Sequence, residues 1–101
     1  MTVLTILVTP TFAKAIKKLH AKDKIVVDKV VKAIASDPSI GEEKKGDLAG
    51  IFVYKFKINK QEILLAYQFH PDKFSPVSVL LLSIGSHENF YTDLKRLNQE
   101  K

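Results

Sequence analysis

Apolar and polar positions along the chain follow two periodicities, one typical of strands and one typical of helices. Alternating or continuous apolar runs predict strands at 3–8, 51–58, 61–70 and 79–84. Apolar residues at helical spacing predict helices after Pro10, from about Lys22, and after Ser86. The resulting order is β-α-α-β-β-β-α. It indicates an α+β fold in which an N-terminal helical hairpin packs on a small, twisted, mainly antiparallel sheet, followed by a C-terminal helix.

Local signals set the ends of the predicted helices. Thr9-Pro10 is a helix start with proline at the first helical position, and Asp37-Pro38 ends the second helix. Ser86 is a favourable N-cap for the third helix. The stretch 39–50 is polar and contains glycine, so it is predicted to be a loop.

The strand predicted at 51–58 has two different faces. Its even positions are all aromatic or aliphatic, which is typical of a face buried against a core. Its odd positions change from apolar to cationic midway, in the order Ile51, Val53, Lys55, Lys57. This pattern predicts a face that is covered at one end and open, with two cations, at the other.

The apolar run at 79–84 ends at Gly85 and is followed by Ser86 and His87. His87 and Tyr91 are four residues apart, so a helix would place them on one face, at the end of a buried strand. Two interpretations stay open at this point. The pair is either a functional imidazole and phenol, or an exposed first-turn histidine and a tyrosine packed on the core.

The charge and composition of the chain limit the classes of partner, metal site and location that we expect. The 101 residues suffice for one domain, 1–101, and carry a net charge of +5, which favours an anionic partner such as nucleic acid or an acidic protein. There is no cysteine, and the three histidines are far apart, so we expect no metal site. The N-terminus lacks the pattern of a signal peptide or membrane span, so we expect a soluble, cytoplasmic protein that does not bind membranes.

Several short motifs together resemble the RelE/ParE family of bacterial toxins from toxin–antitoxin systems. They are Tyr54-Lys55-Phe56-Lys57, then Leu65-Ala66-Tyr67-Gln68, the upstream loop with its Asp-Pro, Gly and Lys-Lys, and a last strand ending in Ile-Gly-Ser-His. The order of elements also fits, so the resemblance covers nearly the whole chain. The ending Gly-Ser-His followed by an aromatic is most similar to the YafQ-type branch.

The resemblance implies a small basic endoribonuclease, an mRNA interferase, which cleaves messenger RNA on the ribosome without a metal or other cofactor. It assigns the scissile phosphate to Lys55 and Lys57, places His87 where the family has a catalytic arginine or histidine, and places Tyr91 near the aromatic that stacks on or orients a base. Because histidine titrates near neutral pH, we expect His87 to act as the general acid. Further contacts with RNA are expected from three loop and turn lysines: Lys44, Lys45 and Lys60. The expected partners are messenger RNA, the ribosome and a cognate antitoxin, with a toxin–antitoxin hetero-oligomer as the assembly.

One position departs from the family pattern, because Leu64 stands where the RNA-cleaving branch has an arginine. The general base is also open between Lys55 and Glu88. Two alternatives to the ribonuclease therefore remain: a ParE-type inhibitor of DNA gyrase, and a non-catalytic basic interaction domain.

Overall fold

The computed structural model describes residues 4–70, 77–86 and 90, apart from the side chains of Pro38 and Asp47. Within these residues the chain forms two α-helices, five strands and two short 3₁₀ turns. In chain order these are β1 (Thr5–Val8), α1 (Pro10–Lys17), α2 (Ala21–Ser36), a 3₁₀ turn (Pro38–Ile40), β2 (Glu42–Glu43), a 3₁₀ turn (Gly46–Leu48), β3 (Ile51–Ile58), β4 (Gln61–His70) and β5 (Ser78–Ser86).

The five strands form one mixed sheet in the order β1-β5-β4-β3-β2. The strands from β2 to β5 pair antiparallel, while β1 runs parallel to β5. Strand β5 is therefore an inner strand, as its continuous apolar run predicts. The predicted α+β class is confirmed. Neither of the two described helices is long and apolar enough to span a membrane.

The helix ends follow their sequence signals. Thr9 is the N-cap of α1, and its hydroxyl accepts a hydrogen bond from the Phe12 amide at 3.1 Å. The same hydroxyl donates to the carbonyl of Leu82 at 2.8 Å, which ties the start of α1 to β5. Helix α2 ends at Ser36, directly before Asp37-Pro38, as predicted.

The larger hydrophobic core lies between the two helices and one side of the sheet, which we call the helix face. Buried residues of α1, α2 and the strands β3, β4 and β5 meet there: Phe12, Val27, Val31, Ile34, Ile58, Leu65, Tyr67, Phe69, Val79 and Leu81. The even positions of β3 pack against this cluster. The period of two in β3 therefore sets which side chains face the helices.

Two elements differ from the sequence prediction, and a third lies almost entirely outside the described residues. The stretch 39–50 is not only a loop, because Glu42–Glu43 pairs with Phe52 and Val53 as strand β2. Strand β5 continues through Gly85 to Ser86, which pairs with Ile63. The residues predicted to form the C-terminal helix lie outside the described part of the chain, apart from Phe90, which is helical and buried.

Strand β5 contains a bulge opposite the Ala66–Tyr67 step of β4. Tyr67 pairs with Leu81 and Ala66 with Ser83, so Leu82 is an extra residue in β5. The bulge reverses the alternation of the strand. Odd positions before it, such as Leu81, face the helices, whereas odd positions after it, such as Ser83 and Gly85, lie on the opposite face of the sheet.

Gly41 forms a close contact between the start of β2 and the core. The Tyr67 hydroxyl is hydrogen-bonded to the backbone of Gly41, and a Cβ atom at position 41 would overlap the Tyr67 phenol group. Tyr67 itself is fully buried and stacks on Phe52, with 5.6 Å between the ring centroids. This contact fixes the short β2 segment against the centre of the sheet.

We expect Gly41→Ala to destabilise the protein by about 1–3 kcal/mol, the usual cost of overpacking, because the new methyl group displaces the Tyr67 ring. Chemical denaturation measures the loss. Tyr67→Phe in the same chain should recover part of it, since the hydroxyl is the nearest obstacle. Gly85→Ala is the matched control, because none of the residues that the structure describes lies within 4 Å of a Cβ atom there. Equal losses at both glycines would contradict the contact with Tyr67.

Burial raises the pKa of Tyr67 to about 12, although its hydrogen bond with Gly41 acts in the opposite direction. The phenol ionises near pH 10 in the unfolded chain. Its contribution to stability is therefore complete below pH 10 and is lost as the pH rises towards 12. In an alkaline titration followed by ultraviolet absorbance, one of the three tyrosines should ionise late, and Tyr67→Phe should remove that late step. Three tyrosines ionising together near pH 10 would contradict the burial of this phenol.

Candidate nucleic-acid interface

The face of the sheet opposite the helices, which we call the groove face, is covered at one end of β3 and open at the other. Ile51 and Val53 are 1% and 3% exposed, while Lys55 and Lys57 are exposed. All four lie on this face, since they are the odd positions of the strand. Strand β3 therefore has the half-covered cationic face that the sequence predicts.

A second hydrophobic cluster covers the apolar half of the groove face. Its buried members come from β3, β4, β5, the turn before β3 and the C-terminal segment: Leu48, Ile51, Val53, Leu64, Ala66, Leu82 and Phe90. This packing holds β3 from the groove side, as the larger core holds it from the helix side. The backbone carrying the two lysines is therefore buried on both faces at one end.

The residues beside the lysines are set by the strand register. Lys55 lies opposite Leu64, which in turn lies opposite Gly85, so the three form one row across β3, β4 and β5. Neighbouring strands are about 4.8 Å apart, so Gly85 lies about 10 Å from Lys55. Lys57 lies opposite Glu62.

Leu64 occupies the middle of this row and is fully buried in the groove-face cluster. The side chain that replaces the expected arginine therefore belongs to the core and brings no charge to the surface. Positive charge on this face comes instead from lysines of β3 and of the β2 segment.

An open cleft of about 260 Å³ lies at the edge of the sheet, where β2 leaves β3. Strand β2 pairs only with Phe52 and Val53, and the amide of Lys44 extends this pairing by donating to the carbonyl of Ile51 at 2.9 Å. Beyond Val53, the described strands leave this side of β3 uncovered. We call this space the edge cleft; it is lined by Ile40, Glu42, Lys44, Val53, Tyr54 and Lys55.

Charges of both signs meet in the edge cleft. The Lys44 ammonium donates to Glu42 Oε1 at 2.8 Å. This hydrogen bond and the charge of Lys44 lower the pKa of the Glu42 carboxyl, with a smaller contribution in the same direction from Lys55. Glu42 is consequently an anion at neutral pH, held beside two cations.

The structure brings together some of the predicted site residues. Lys55 and Lys57 share the groove face, and Lys44 joins Lys55 in the edge cleft. Lys45 and Lys60 are exposed, and Lys60 lies in the tight turn between β3 and β4. His87, Glu88 and Tyr91 lie outside the described residues. Within the part of the chain that the structure describes, no group of three or more acidic or histidine side chains could hold a metal ion.

Sequence reasoning missed two carboxylates of this surface. The sequence predicts a loop at Glu42, because a strand of two residues leaves no periodic pattern. Glu62 reaches the groove face opposite Lys57 through the hairpin register. That register follows from the two-residue turn at Asn59-Lys60, where both residues have positive φ, so the position of Glu62 was accessible from the sequence.

Solved structures with the same fold are toxins of the RelE type. The structure is similar to a chain of the RelBE2 toxin–antitoxin complex from Mycobacterium tuberculosis, with a TM-score of 0.71 and 18% identity over 85% of this chain and 100% of that one. It is also similar to a mutant of the Escherichia coli toxin RelE in the free state, with a TM-score of 0.70 and 18% identity over 97% and 98%. A third similar structure is the archaeal RelE–RelB complex from Pyrococcus horikoshii, with a TM-score of 0.56 and 11% identity over 86% and 98%.

The sequence itself also matches a family model. No curated protein matches the chain. The model of the ParE-like toxin of type II bacterial toxin–antitoxin systems matches residues 6–95, which is most of the chain. The chain therefore belongs to the ParE-like toxins of type II bacterial toxin–antitoxin systems.

Proposed function

We propose that this toxin is an endoribonuclease that cuts messenger RNA on the ribosome and needs no metal. The observation that carries the proposal is the open half of the groove face, where Lys55 and Lys57 are exposed beside a buried floor. Exposed cations on a strand that is fixed by its core form a prearranged site for a polyanion. Single-stranded RNA is such a ligand, since its phosphates supply most of the binding energy.

The two lysines have the spacing that a phosphate chain requires. Alternate residues of a strand are about 7 Å apart, which is comparable to the distance between successive phosphates of an extended strand. Lys55 and Lys57 can therefore contact the scissile phosphate and its neighbour. Lys44, Lys45 and Lys60 are the further cations that we assign to the RNA backbone.

Cleavage of RNA without a metal needs a base for the 2′-hydroxyl proton, positive charge at the phosphorus centre and an acid for the leaving 5′-oxygen. We assign the charge to Lys55 and Lys57, and the acid to His87, the residue that follows the end of β5. The 2′-oxygen attacks phosphorus as its proton passes to the base. The bond from phosphorus to the 5′-oxygen then breaks, and that oxygen takes the proton of His87. Tyr91 is assigned to stacking on a base.

The same proposal includes a protein partner. A toxin made in its own cytoplasm must be held inactive, and two of the similar structures are complexes of a toxin with its antitoxin. We therefore propose that a cognate antitoxin binds this chain in a hetero-oligomer. The net charge of +5 favours an antitoxin with an acidic binding segment.

A second candidate function is inhibition of DNA gyrase by binding alone. Leu64 supports it, because this side chain is fully buried where the RNA-cleaving branch has an arginine. A toxin of this kind needs the fold and an exposed binding surface but no catalytic groups.

Lys55→Ala and Lys57→Ala should each weaken binding to RNA and to the ribosome, because each removes one phosphate contact. The slope of log binding constant against log salt should fall in magnitude by about 0.7 per lysine, the value for one contact with a single strand. Lys29→Ala on the exposed side of α2 is the matched control and should leave the slope unchanged. Unchanged slopes for the β3 variants would remove these lysines from the RNA site.

His87→Ala should abolish growth inhibition and RNA cleavage while the protein stays folded, because it removes the proposed acid. The measurement is a map of messenger 5′ ends in translated regions after induction without antitoxin, with circular dichroism to check the fold. His70→Ala, an exposed histidine at the end of β4, is the control and should stay toxic.

The same experiment separates the two candidate functions. Cuts at in-frame positions that vanish with His87→Ala support the ribosome-dependent ribonuclease. Growth arrest without cuts, accompanied by DNA damage signalling, supports the gyrase inhibitor. A folded His87→Ala variant that cleaves at the wild-type rate would rule out this histidine as the acid.

A further inference from the structure

The edge cleft has the composition of a binding site for a small, flat, polar ligand. Its apolar lining residues are Ile40, Val53 and the half-buried Tyr54. Charged groups stand at its rim. Ligand sites typically combine apolar walls with a few fixed polar groups. At about 260 Å³ the cleft is smaller than sites for drug-sized molecules, which range from about 300 to 1,000 Å³, so it suits a single ring system.

The cleft is continuous with the cations proposed to bind phosphate. Lys55 lines it and also lies on the groove face, so an RNA phosphate held by Lys55 would place the attached nucleoside next to the cleft. Tyr54 also lines the cleft, but its ring lies on the helix face, where it is stacked on Phe56 with 6.1 Å between centroids. A nucleobase entering the cleft beside Lys55 would therefore lie next to the apolar lining residue Val53.

Glu42 is the hydrogen-bond acceptor at the rim. Lys44 holds one of its carboxylate oxygens, and the β2–β3 pairing holds its backbone opposite Val53. Each carboxylate oxygen can accept more than one hydrogen bond, so the bond from Lys44 leaves capacity for a ligand. The lowered pKa of Glu42 suits a fixed anion better than a general base, which works best with a pKa near the working pH.

A carboxylate distinguishes the four RNA bases by their Watson–Crick edges. Guanine presents two adjacent donors, N1–H and the N2 amino group, which match the two carboxylate oxygens. Adenine and cytosine each present one amino donor beside an acceptor nitrogen, and uracil presents one N–H between two carbonyl oxygens. Two charge-assisted hydrogen bonds therefore favour guanine, whereas lone pairs of the other bases face the anion.

We infer that the edge cleft binds a guanine base of the RNA, next to the phosphate on Lys55, and that Glu42 selects it. The inference rests on the proposed ribonuclease function and adds a base preference to it. Glu42 is a specificity-determining residue in this scheme and takes no part in bond breaking.

Binding of mononucleotides tests the cleft without requiring cleavage. The probes are guanosine 3′-monophosphate and uridine 3′-monophosphate, titrated into ¹⁵N-labelled toxin. Guanosine 3′-monophosphate should shift the amides of Glu42, Val53 and Lys55 and bind about tenfold more tightly, within the range that one bidentate pair supplies. Glu42→Gln should remove this preference. Glu62→Gln is the matched control, because it neutralises a groove-face carboxylate outside the cleft.

Equal affinity for both nucleotides, shifts elsewhere on the surface, or an unchanged preference in Glu42→Gln would overturn the inference. The inference is also overturned if neither nucleotide binds and Glu42→Gln weakens binding of the antitoxin. The edge cleft would then bind a segment of the antitoxin.

The cleavage map gives a second and separate result. In wild type, cuts should be enriched next to guanine, and in Glu42→Gln the enrichment should fall about tenfold while total cleavage persists. Loss of cleavage at every site with unchanged base preference would make Glu42 a catalytic base and overturn the inference. If the wild type cuts nothing but still prefers guanosine 3′-monophosphate, the ribonuclease proposal fails and the guanine site stands.

Discussion

The packing of β3 on both of its faces is the constraint on which the rest of the surface depends. Its even positions are held by the core under the helices, and Ile51 and Val53 are held by the second cluster. A slip of one residue would turn every side chain of the strand to the other face and expose the aromatic residues. Lys55 and Lys57 are thus kept on the groove face by the burial of their neighbours in β3.

The bulge in β5 decides what lies across from these lysines. Because Leu82 is an extra residue, Gly85 comes to the groove face in the row of Leu64 and Lys55. The row joins a cation on β3 to the end of the strand that precedes His87. Leu64 in the centre of the row is fully buried in the groove-face cluster.

The contact of Gly41 with Tyr67 connects the edge of the sheet to its centre. Strand β2 has only two residues, and a pair of this length has little stability of its own. The buried phenol gives it a fixed position through the backbone of Gly41, and the exposed Glu42 side chain forms a salt bridge with Lys44. The edge cleft is therefore built from a short strand, one hydrogen bond to the core and one surface ion pair.

The sequence by itself determined the class of the fold, the bounds of β3 and β4, the start of α1, the end of α2 and the open cationic half of β3. Each of these depends on a local rule: a period of two, a proline or capping residue, or a turn of two residues. The tertiary structure alone decided the partners of these elements. The parallel pairing of β1 with β5, the bulge at Leu82 and the strand at Glu42–Glu43 join residues far apart in the chain. A continuous apolar run has no alternation to mark a bulge, and a strand of two residues has no period. Glu42 belongs to the candidate site because it pairs with Val53, and this pairing cannot be seen in the sequence.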